Sequence, residues 1–487
     1  MKSSLSWVLA GAVGSMLAGA TAHSADLLSV YQDALKSDPA IREADANRLA
    51  VREQRPQAWS ALLPQISGQA STGKEKTDGL QQFAQVQRID PQDPNSPSVL
   101  NVLNRTGESE PETDQWSLDL RQNLFSWGNW VALRRASHQV AQAEADYAAE
   151  QQNLISRVSQ RYFDVLSARD TLEAEQAAGD AISRQLEQTE KRFEVGLIAI
   201  TDVQDSRAAR DRAVANIIAA KRALATAEEL LREITGQKYD ALAKPGVDMP
   251  LKSPEPASED QWVEQSLNQN LALISSRLNS DIARDNVRSS FGGHLPTLDL
   301  VASKSHFKQD TPQSFPADPN VQFPGGSVTT TTDQDSDSYS LQLSVPIFSG
   351  GLTQSRVRES QYRWIAAKER VVRVSRETER AARDAYLGVM SEISRVNALR
   401  QALQSSDTSL KATEAGYEVG TRTAVDVLDA RRALVLAQSN FARSRYDYLL
   451  NVIRLRAAAG NLDDATLAEI NQTLSQLTPT PSTNPAP

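Results

Sequence analysis

Cysteine is absent from this 487-residue chain, histidine occurs four times, and aromatic residues make up 6%. Without thiols there is no disulfide framework, no thiolate metal site and no cysteine nucleophile. The histidines are His23, His138, His294 and His306, and no two stand at a metal-ligand spacing. Phosphate-cradling glycine loops, dinucleotide fingerprints and nucleophile elbows are missing as well. The expectation is a protein that is not an enzyme and carries no cofactor. Lys and Arg number 52 against 61 Asp and Glu, a net charge of −9, the wrong sign for a nucleic-acid partner. After the N-terminal region no run of about 18 apolar residues occurs, so no membrane-spanning helix is expected. Sparse aromatics argue against large compact cores, and abundant Ala, Gln, Arg, Glu and Leu point to long helices.

The N-terminus has the order of a secretory leader. Lys2 precedes an apolar run over 7–20, and small residues follow at Ala20, Ala22, Ser24 and Ala25. Residues 1–25 form this leader. Cleavage after Ala22 fits the small-x-small rule best, cleavage after Ala25 is the alternative, and an uncleaved anchor has the same pattern. An exported chain without a helical span is periplasmic, secreted, or an outer-membrane β-barrel.

The rest of the chain is written twice. RFEVGLIAITDVQDSR at 192–207 and GYEVGTRTAVDVLDAR at 416–431 share seven of sixteen residues at an offset of 224. Gly236 matches Gly460 at that offset, and LDLRQNLFSWG at 118–128 matches LQLSVPIFSGG at 341–351 at 223. Pro64 matches Pro296 at 232, as does Leu35-Lys-Ser-Asp-Pro-Ala-Ile41 with 267–273. One insertion in the first half accounts for the change of offset. The organisation is a tandem duplication: a leader over 1–25, a first repeat over 26–243, a Pro-rich linker over 244–256, a second repeat over 257–471, and a disordered tail over 472–487.

Each half alternates helix and strand in the same order. From 130 to 193 there is no Pro and only Gly179. Apolar or small residues recur there at steps of three, four and seven, and the second half repeats the seam from Tyr386 to Tyr417. A helix of about 65 residues spans on the order of 100 Å. Its Ala-rich seam lets a partner helix approach closely; an ordinary coiled coil has the same pattern. Gly196 and Gly420 stop the two long helices, and Thr201 and Thr423 are the expected caps of the return helices. Each half thus holds a long helical hairpin.

Period-two alternation marks four short strands: Ile66 to Thr72, Trp116 to Arg121, Thr297 to Ala302, and Tyr339 to Ile347. Such segments suit a membrane barrel with a wet lumen, although the pattern alone favours a half-buried soluble sheet, and the expected lack of a globular core for the strands to cover counts against that sheet. The leader favours the first. The polar stretches 74–112 and 308–338 are expected to be long surface loops. Four strands cannot close a conducting barrel, and open edges are not tolerated in lipid, so sister chains must complete it. Three chains give twelve strands and a generous pore.

The charged feature common to both halves is DxxD: Asp202 with Asp205, and Asp426 with Asp429. Residues three apart share a helix face, and carboxylates favour a helix start in any case. In a symmetric assembly they also form rings that favour cations and whose mutual repulsion raises carboxylate pKa values. Tyr417 and Arg422 stand close enough in sequence to bond to aspartates and latch the tips together.

At RFEVGLIAITDVQDSR and GYEVGTRTAVDVLDARRAL the chain resembles the TolC family of outer-membrane efflux and type I secretion proteins. The likeness runs from DLLSVYQDALKSDP through HLPTLDL and SVPIFSGG to RYDYLLNVIRL. It implies an α+β membrane protein of a Gram-negative outer membrane, with a large periplasmic part. The fold is a trimeric twelve-stranded β-barrel, four strands per chain, continued by a long α-helical coiled-coil barrel. It implies an exit duct for tripartite efflux pumps, type I protein secretion or both, opened at its periplasmic end when the hairpins untwist. The implied partners are two sister chains, a periplasmic adaptor, an inner-membrane transporter and outer-membrane lipid. The implied gate latch is Thr201, Asp202, Tyr417 and Arg422, with Gln185 and Glu414 as a second pair. The cation-selective entrance falls on Asp426 and Asp429, and adaptor docking on Gly196, Leu197, Gly420 and Thr421. Asp205 departs from the family pattern, which has a neutral amide there, and makes the entrance more acidic if it faces the lumen. A pore-less periplasmic adaptor or coiled-coil protein is the alternative reading, and a secreted filament the third.

Overall fold

The computed structural model describes residues 24–90, 92–315, 317 and 325–474. Nearly all of the expected leader, and residues 475–487 of the expected tail, lie outside them.

A two-residue strand β1 (Ser24–Ala25) leads into α1 (Leu27–Ser37), whose start is capped by Asp26 accepting from the Ser29 amide at 2.8 Å. Pro39 then opens α2 (Pro39–Arg52), so the helix breaks at Asp38, as residues before proline do. The second half repeats this break without a proline: α6 (Glu259–Gln269) and α7 (Leu271–Phe291) meet at Asn270. Asp38 and Asn270 both have ψ of 121°. Between them lie α3 (Gln54–Ser60), four strands β2 (Gln65–Lys74), β3 (Thr77–Arg88), β4 (Ser98–Ser109) and β5 (Glu112–Phe125), the long helix α4 (Trp127–Glu194), the return helix α5 (Ile200–Thr235) and the short β6 (Ala241–Leu242). After α7 come β7 (Thr297–Phe315), β8 (Gly326–Ser344), α8 (Leu352–Glu418), α9 (Ala424–Ala459) and α10 (Asp464–Thr473).

The paired helices match in length: α4 and α8 have 68 and 67 residues, α5 and α9 have 36 each. Each long helix is therefore on the order of 100 Å long, as the absence of helix breakers predicts. Small residues set the approach of α4 to α5. Ala178, Ala213 and Ala220 are buried, and a Cβ on Gly179 would stand 2.8 Å from Ile217 Cδ1.

The chain divides into two compact units. One gathers residues up to 50, 141–278 and those from 368 onward; the other gathers 51–140 and 279–367. Each unit draws on both halves of the sequence, so the linker at 244–256 does not separate them. The first unit contains a real core, against the expectation from sparse aromatics. Its few rings are concentrated there: Tyr162, Phe163, Tyr446 and Trp262 are at most 2% exposed. Phe163 stacks on Tyr446, and the Tyr446 hydroxyl donates to Asp170 at 2.5 Å. Tyr162 donates to the Ala243 carbonyl at 2.6 Å, beside the parallel pair of β1 with β6. Burial pushes both phenols far above their usual pKa. The linker packs on this core: Arg445 donates to Gly246, and Tyr448 bonds both backbone groups of Lys252. Helix α10, absent from the sequence expectation, closes the core with Leu467 and Ile470, and it carries Gln472 and Thr473 out of the expected tail.

The second unit holds the sheet. Strands β2, β5, β7 and β8 run antiparallel in that order. They are longer than expected, because β7 and β8 each continue for 19 residues and take in most of the stretch read as a loop at 308–338. The stretch 74–112 is also not a loop. It forms the hairpin β3–β4, twelve residue pairs in register, with β4 touching β7 at Glu108–Ser314 and Ser109–Gln313. The fourth expected strand stops at Ser344, two residues before Pro346, which has no amide for a ladder. No described helix is long and apolar enough to cross a membrane.

Candidate functional site

The hairpin tips carry the turn glycines, the DxxD pairs and most of the expected latch residues, while Gln185 lies eleven residues before Gly196 on α4. In the first, Gly196 takes φ of 76°, and the Leu197 amide reaches back to the Arg192 carbonyl at 2.9 Å. This left-handed stop satisfies the last carbonyls of α4. Val195 and Leu197 are left 69% and 72% exposed, an apolar tip that no described residue covers. Helix α5 begins at Ile200, with Ala199 at the cap position and no side-chain cap bond. Thr201 is therefore not the cap: it lies inside the helix, one residue before Asp202. Below the turn, Val203, Thr189 and Ser206 are buried between α4 and α5. Asp205 is exposed.

The second tip repeats the turn with Gly420 at φ of 82° and Thr421 N–H bonded to the Gly416 carbonyl at 2.8 Å. Here the cap is complete. Thr423 Oγ1 accepts from the Asp426 amide at 3.2 Å, and Asp426 accepts from the Thr423 amide and hydroxyl at 2.9 Å each. At the matching offset of 224 the first half has Ala199, which explains its bare cap. The Thr423 backbone and side-chain bonds hold the Asp426 carboxyl below its usual pKa. Repulsion within a ring was expected to act the other way; inside one chain the capping bonds dominate.

A lowered folded pKa gives stability that is fully present above the ordinary aspartate range and is lost as pH falls through the lowered value. The N-terminus of α9 should therefore keep its amide-exchange protection from neutral pH down to about pH 4. Thr423→Val removes the hydroxyl bond, so the Asp426 carboxyl titration followed by NMR should move to higher pH. An unmoved titration would mean that the hydroxyl does not set the carboxyl's charge.

The remaining latch residues are placed without their expected bonds. The Tyr417 hydroxyl is buried with no hydrogen-bond partner, and so is the Gln185 amide nitrogen. Glu414 is bonded by Arg431 of the facing helix α9 rather than by Gln185. Among the described residues nothing joins Tyr417 or Arg422 to Thr201 or Asp202. The exposed Asp429 is met at 3.4 Å by Arg432.

Three participants escaped the sequence reading. Arg192 lays its guanidinium 4.9 Å from the centre of the Tyr417 ring and ties the first hairpin to the second. Gly416 makes room for Arg422, whose Cγ would lie 2.7 Å from a Cβ at 416. Arg431 neutralises Glu414. Arg192 and Gly416 are the same position in the two halves, offset by 224, so their divergence within a matched motif was the available signal.

Comparison with known proteins agrees with this architecture. The family model described as "Outer membrane efflux protein" matches residues 30–237 and 262–461. The outer membrane protein TolC of Escherichia coli K12 is 36% identical over 95% of this chain and 87% of its own length. The alkaline protease secretion protein AprF of Pseudomonas aeruginosa is 28% identical over 91% of this chain and 85% of its own. The crystal structure of the Campylobacter jejuni CmeC outer membrane channel superposes with a TM-score of 0.69 at 18% identity, covering 92% of this chain and 89% of that one. The chain belongs to the outer membrane efflux protein family. It is a Gram-negative outer-membrane protein, of the channel class that serves efflux and type I secretion.

Proposed function

We propose that three copies of this chain form a passive exit duct across the outer membrane and periplasm, with no chemistry of its own. The observation that carries this reading is the state of the sheet edges. Among the described residues β2 pairs only with β5 and β8 only with β7, while the strands present one polar and one apolar face. Open edges of that kind are not tolerated in lipid. Pairing β8 of one copy with β2 of the next closes a ring, and three copies give twelve strands and a wet lumen. The duplicated helical hairpins then form a tunnel. A periplasmic adaptor grips the apolar tips around Gly196, Leu197, Gly420 and Thr421, and an inner-membrane transporter supplies the cargo and the energy.

The gate belongs to the tips. The unpartnered Tyr417 hydroxyl and the unpaired Arg422 find Thr201 and Asp202 across hairpins or across subunits, and Gln185 finds its acceptor likewise. Untwisting of the hairpins breaks these bonds. Asp426 and Asp429, multiplied by symmetry, make the entrance cation-selective, and Asp205 adds to that charge. Residues 1–22 are removed as the leader. Cleavage there keeps β1 whole, whereas cleavage after Ala25 deletes the strand whose Ala25 carbonyl accepts the Ala243 amide at 3.1 Å.

One preparation tests the reading. The mature protein in detergent should scatter light as a trimer, have an intact mass beginning at His23, and conduct ions in planar bilayers. A non-conducting monomer defeats the duct.

A further inference from the structure

We infer that Arg422 seats its guanidinium on the Phe193 ring of an adjacent copy, repeating between chains the contact that Arg192 makes with Tyr417 within one. The inference rests on the ring of copies proposed above. Phe193 is then a positioning residue, which aims Arg422 at the Asp202 that follows it in the same hairpin.

The two tips are one motif with an exchange. At the offset of 224, Phe193 stands where Tyr417 does, but Arg192 matches Gly416 and Ile198 matches Arg422. The stretches RFEVGLI and GYEVGTR thus hold one arginine each, at opposite ends. The turns that carry them agree closely. Gly196 and Gly420 have φ of 76° and 82°, and the next amide returns to the Arg192 or Gly416 carbonyl at 2.9 or 2.8 Å.

The exchange leaves the positive charge in one place. A Cβ at 416 would stand 2.7 Å from Arg422 Cγ and 3.4 Å from Arg422 Cβ. The Arg422 stem therefore runs through the space where the Arg192 side chain begins at the other tip. Arg422 enters that space at Cγ and Arg192 at Cβ, so their remaining reach differs by one bond. Both guanidinium groups leave their hairpins from equivalent points. What they meet is different. Arg192 lies 4.9 Å from the centre of the Tyr417 ring. Arg422 is exposed, and among the described residues it has no ring contact and no ion pair. Phe193, the ring that matches Tyr417, is 40% exposed with no described cation over it.

A closed ring of copies alternates first and second hairpins. Inside a chain the first hairpin meets the second, and the pair is Arg192 with Tyr417. Between chains the second hairpin meets the first of the next copy, and the matched groups are Arg422 and Phe193. The junction between chains has one group more. Asp426 is occupied by the Thr423 amide and hydroxyl, whereas Asp202 follows Ala199, which has no hydroxyl to cap with. A guanidinium lying face-down on a ring keeps its N–H edge for a carboxylate. Phe193 thus holds Arg422 where its proposed bond to Asp202 requires it.

The chain has no cysteine, so an introduced pair reports only on its own two positions. Phe193→Cys with Arg422→Cys, treated with a short bismaleimide, should give covalent dimers and trimers on a denaturing gel. Arg192→Cys with Tyr417→Cys should stay monomeric, with its cross-link inside one chain. Monomers alone from the first pair, in a preparation that scatters light as a trimer, defeat the contact. A parent that scatters as a monomer defeats the ring and the contact together. Single-channel recording supplies a second readout. Phe193→Leu should shift the closed-to-open ratio by the same factor as Arg422→Ser, about two- to five-fold for an exposed cation–π contact. The two together should shift it no further, and Phe193→Tyr should match the parent. Effects that add, or a Tyr variant that behaves like Leu, would show that Phe193 acts without Arg422 and overturn the inference.

Discussion

Replacing Arg422 with Ser and Tyr417 with Phe together should raise single-channel conductance in planar bilayers several-fold. A buried hydroxyl without a partner costs about 1–3 kcal/mol, so the Tyr417 O–H, which has none among the described residues, calls for an acceptor from elsewhere. The Arg422 stem lies over Gly416, and among the described residues its guanidinium forms no ion pair, although its charge helps to lower the Asp426 pKa. In the duct proposed above, both side chains form bonds between hairpins or subunits that hold the constriction closed, and the double variant removes them. Phe keeps the ring under the Arg192 guanidinium, so the variant loses the hydroxyl without losing that contact. Lys411→Ser is the control, because Lys411 is already paired with Asp407 at 2.6 Å on its own helix. Parent-like conductance of the double variant would reject the latch.

Gly460→Ala should be among the most destabilising single substitutions available, whereas the matching Gly236→Ala should cost far less. Both glycines end return helices in the left-handed region, at φ of 77° and 69°. That strain alone costs of order 1 kcal/mol for alanine. Their surroundings differ. A Cβ at 460 would stand 2.3 Å from the Gln269 carbonyl oxygen and 2.9 Å from the Asn270 amide, backbone atoms at the α6–α7 break that cannot turn aside. At 236 the nearest atom is Ser37 Cβ at 3.6 Å, an ordinary contact. Separating α9 from that break also strains the bond from Asn270 Nδ2 to the Ala458 carbonyl at 3.1 Å. A loss above about 3 kcal/mol is expected at 460 and about 1–2 kcal/mol at 236. Thermal melting of the two purified variants compares them directly; equal midpoints would show that α9 moves away at little cost.

The helical hairpins were legible because their signals are local. A long stretch without proline, a glycine at each tip and a threonine three residues before an aspartate are chemical statements about a few neighbouring residues. Thr201 misled because threonine was read as the capping residue type, while the matched position in the first half is Ala199. The strands were legible only where apolar residues keep to one phase. From Trp116 to Arg121 the alternation is plain; in TDGLQQFAQVQR, which became β3, and along β7 beyond Lys304, polar residues stand at both phases. Polar residues at both phases remove the two-residue period, and the backbone ladder to a neighbouring strand then forms without a side-chain signature. Glu414 illustrates the same limit at the tip. Its charge was visible, but its partner Arg431 lies across the hairpin.

The sequence by itself carried the two matched halves, the pair of long hairpins and the glycine turns, each from nearby residues or from comparing one half with the other, and it carried the family through resemblance at those motifs. Only the tertiary structure decided which cap is made, that Arg192 rather than an aspartate meets Tyr417, and that the polar insertions are strands. Those outcomes depend on which atoms distant segments bring together, and a pairing between segments leaves no mark on either one alone.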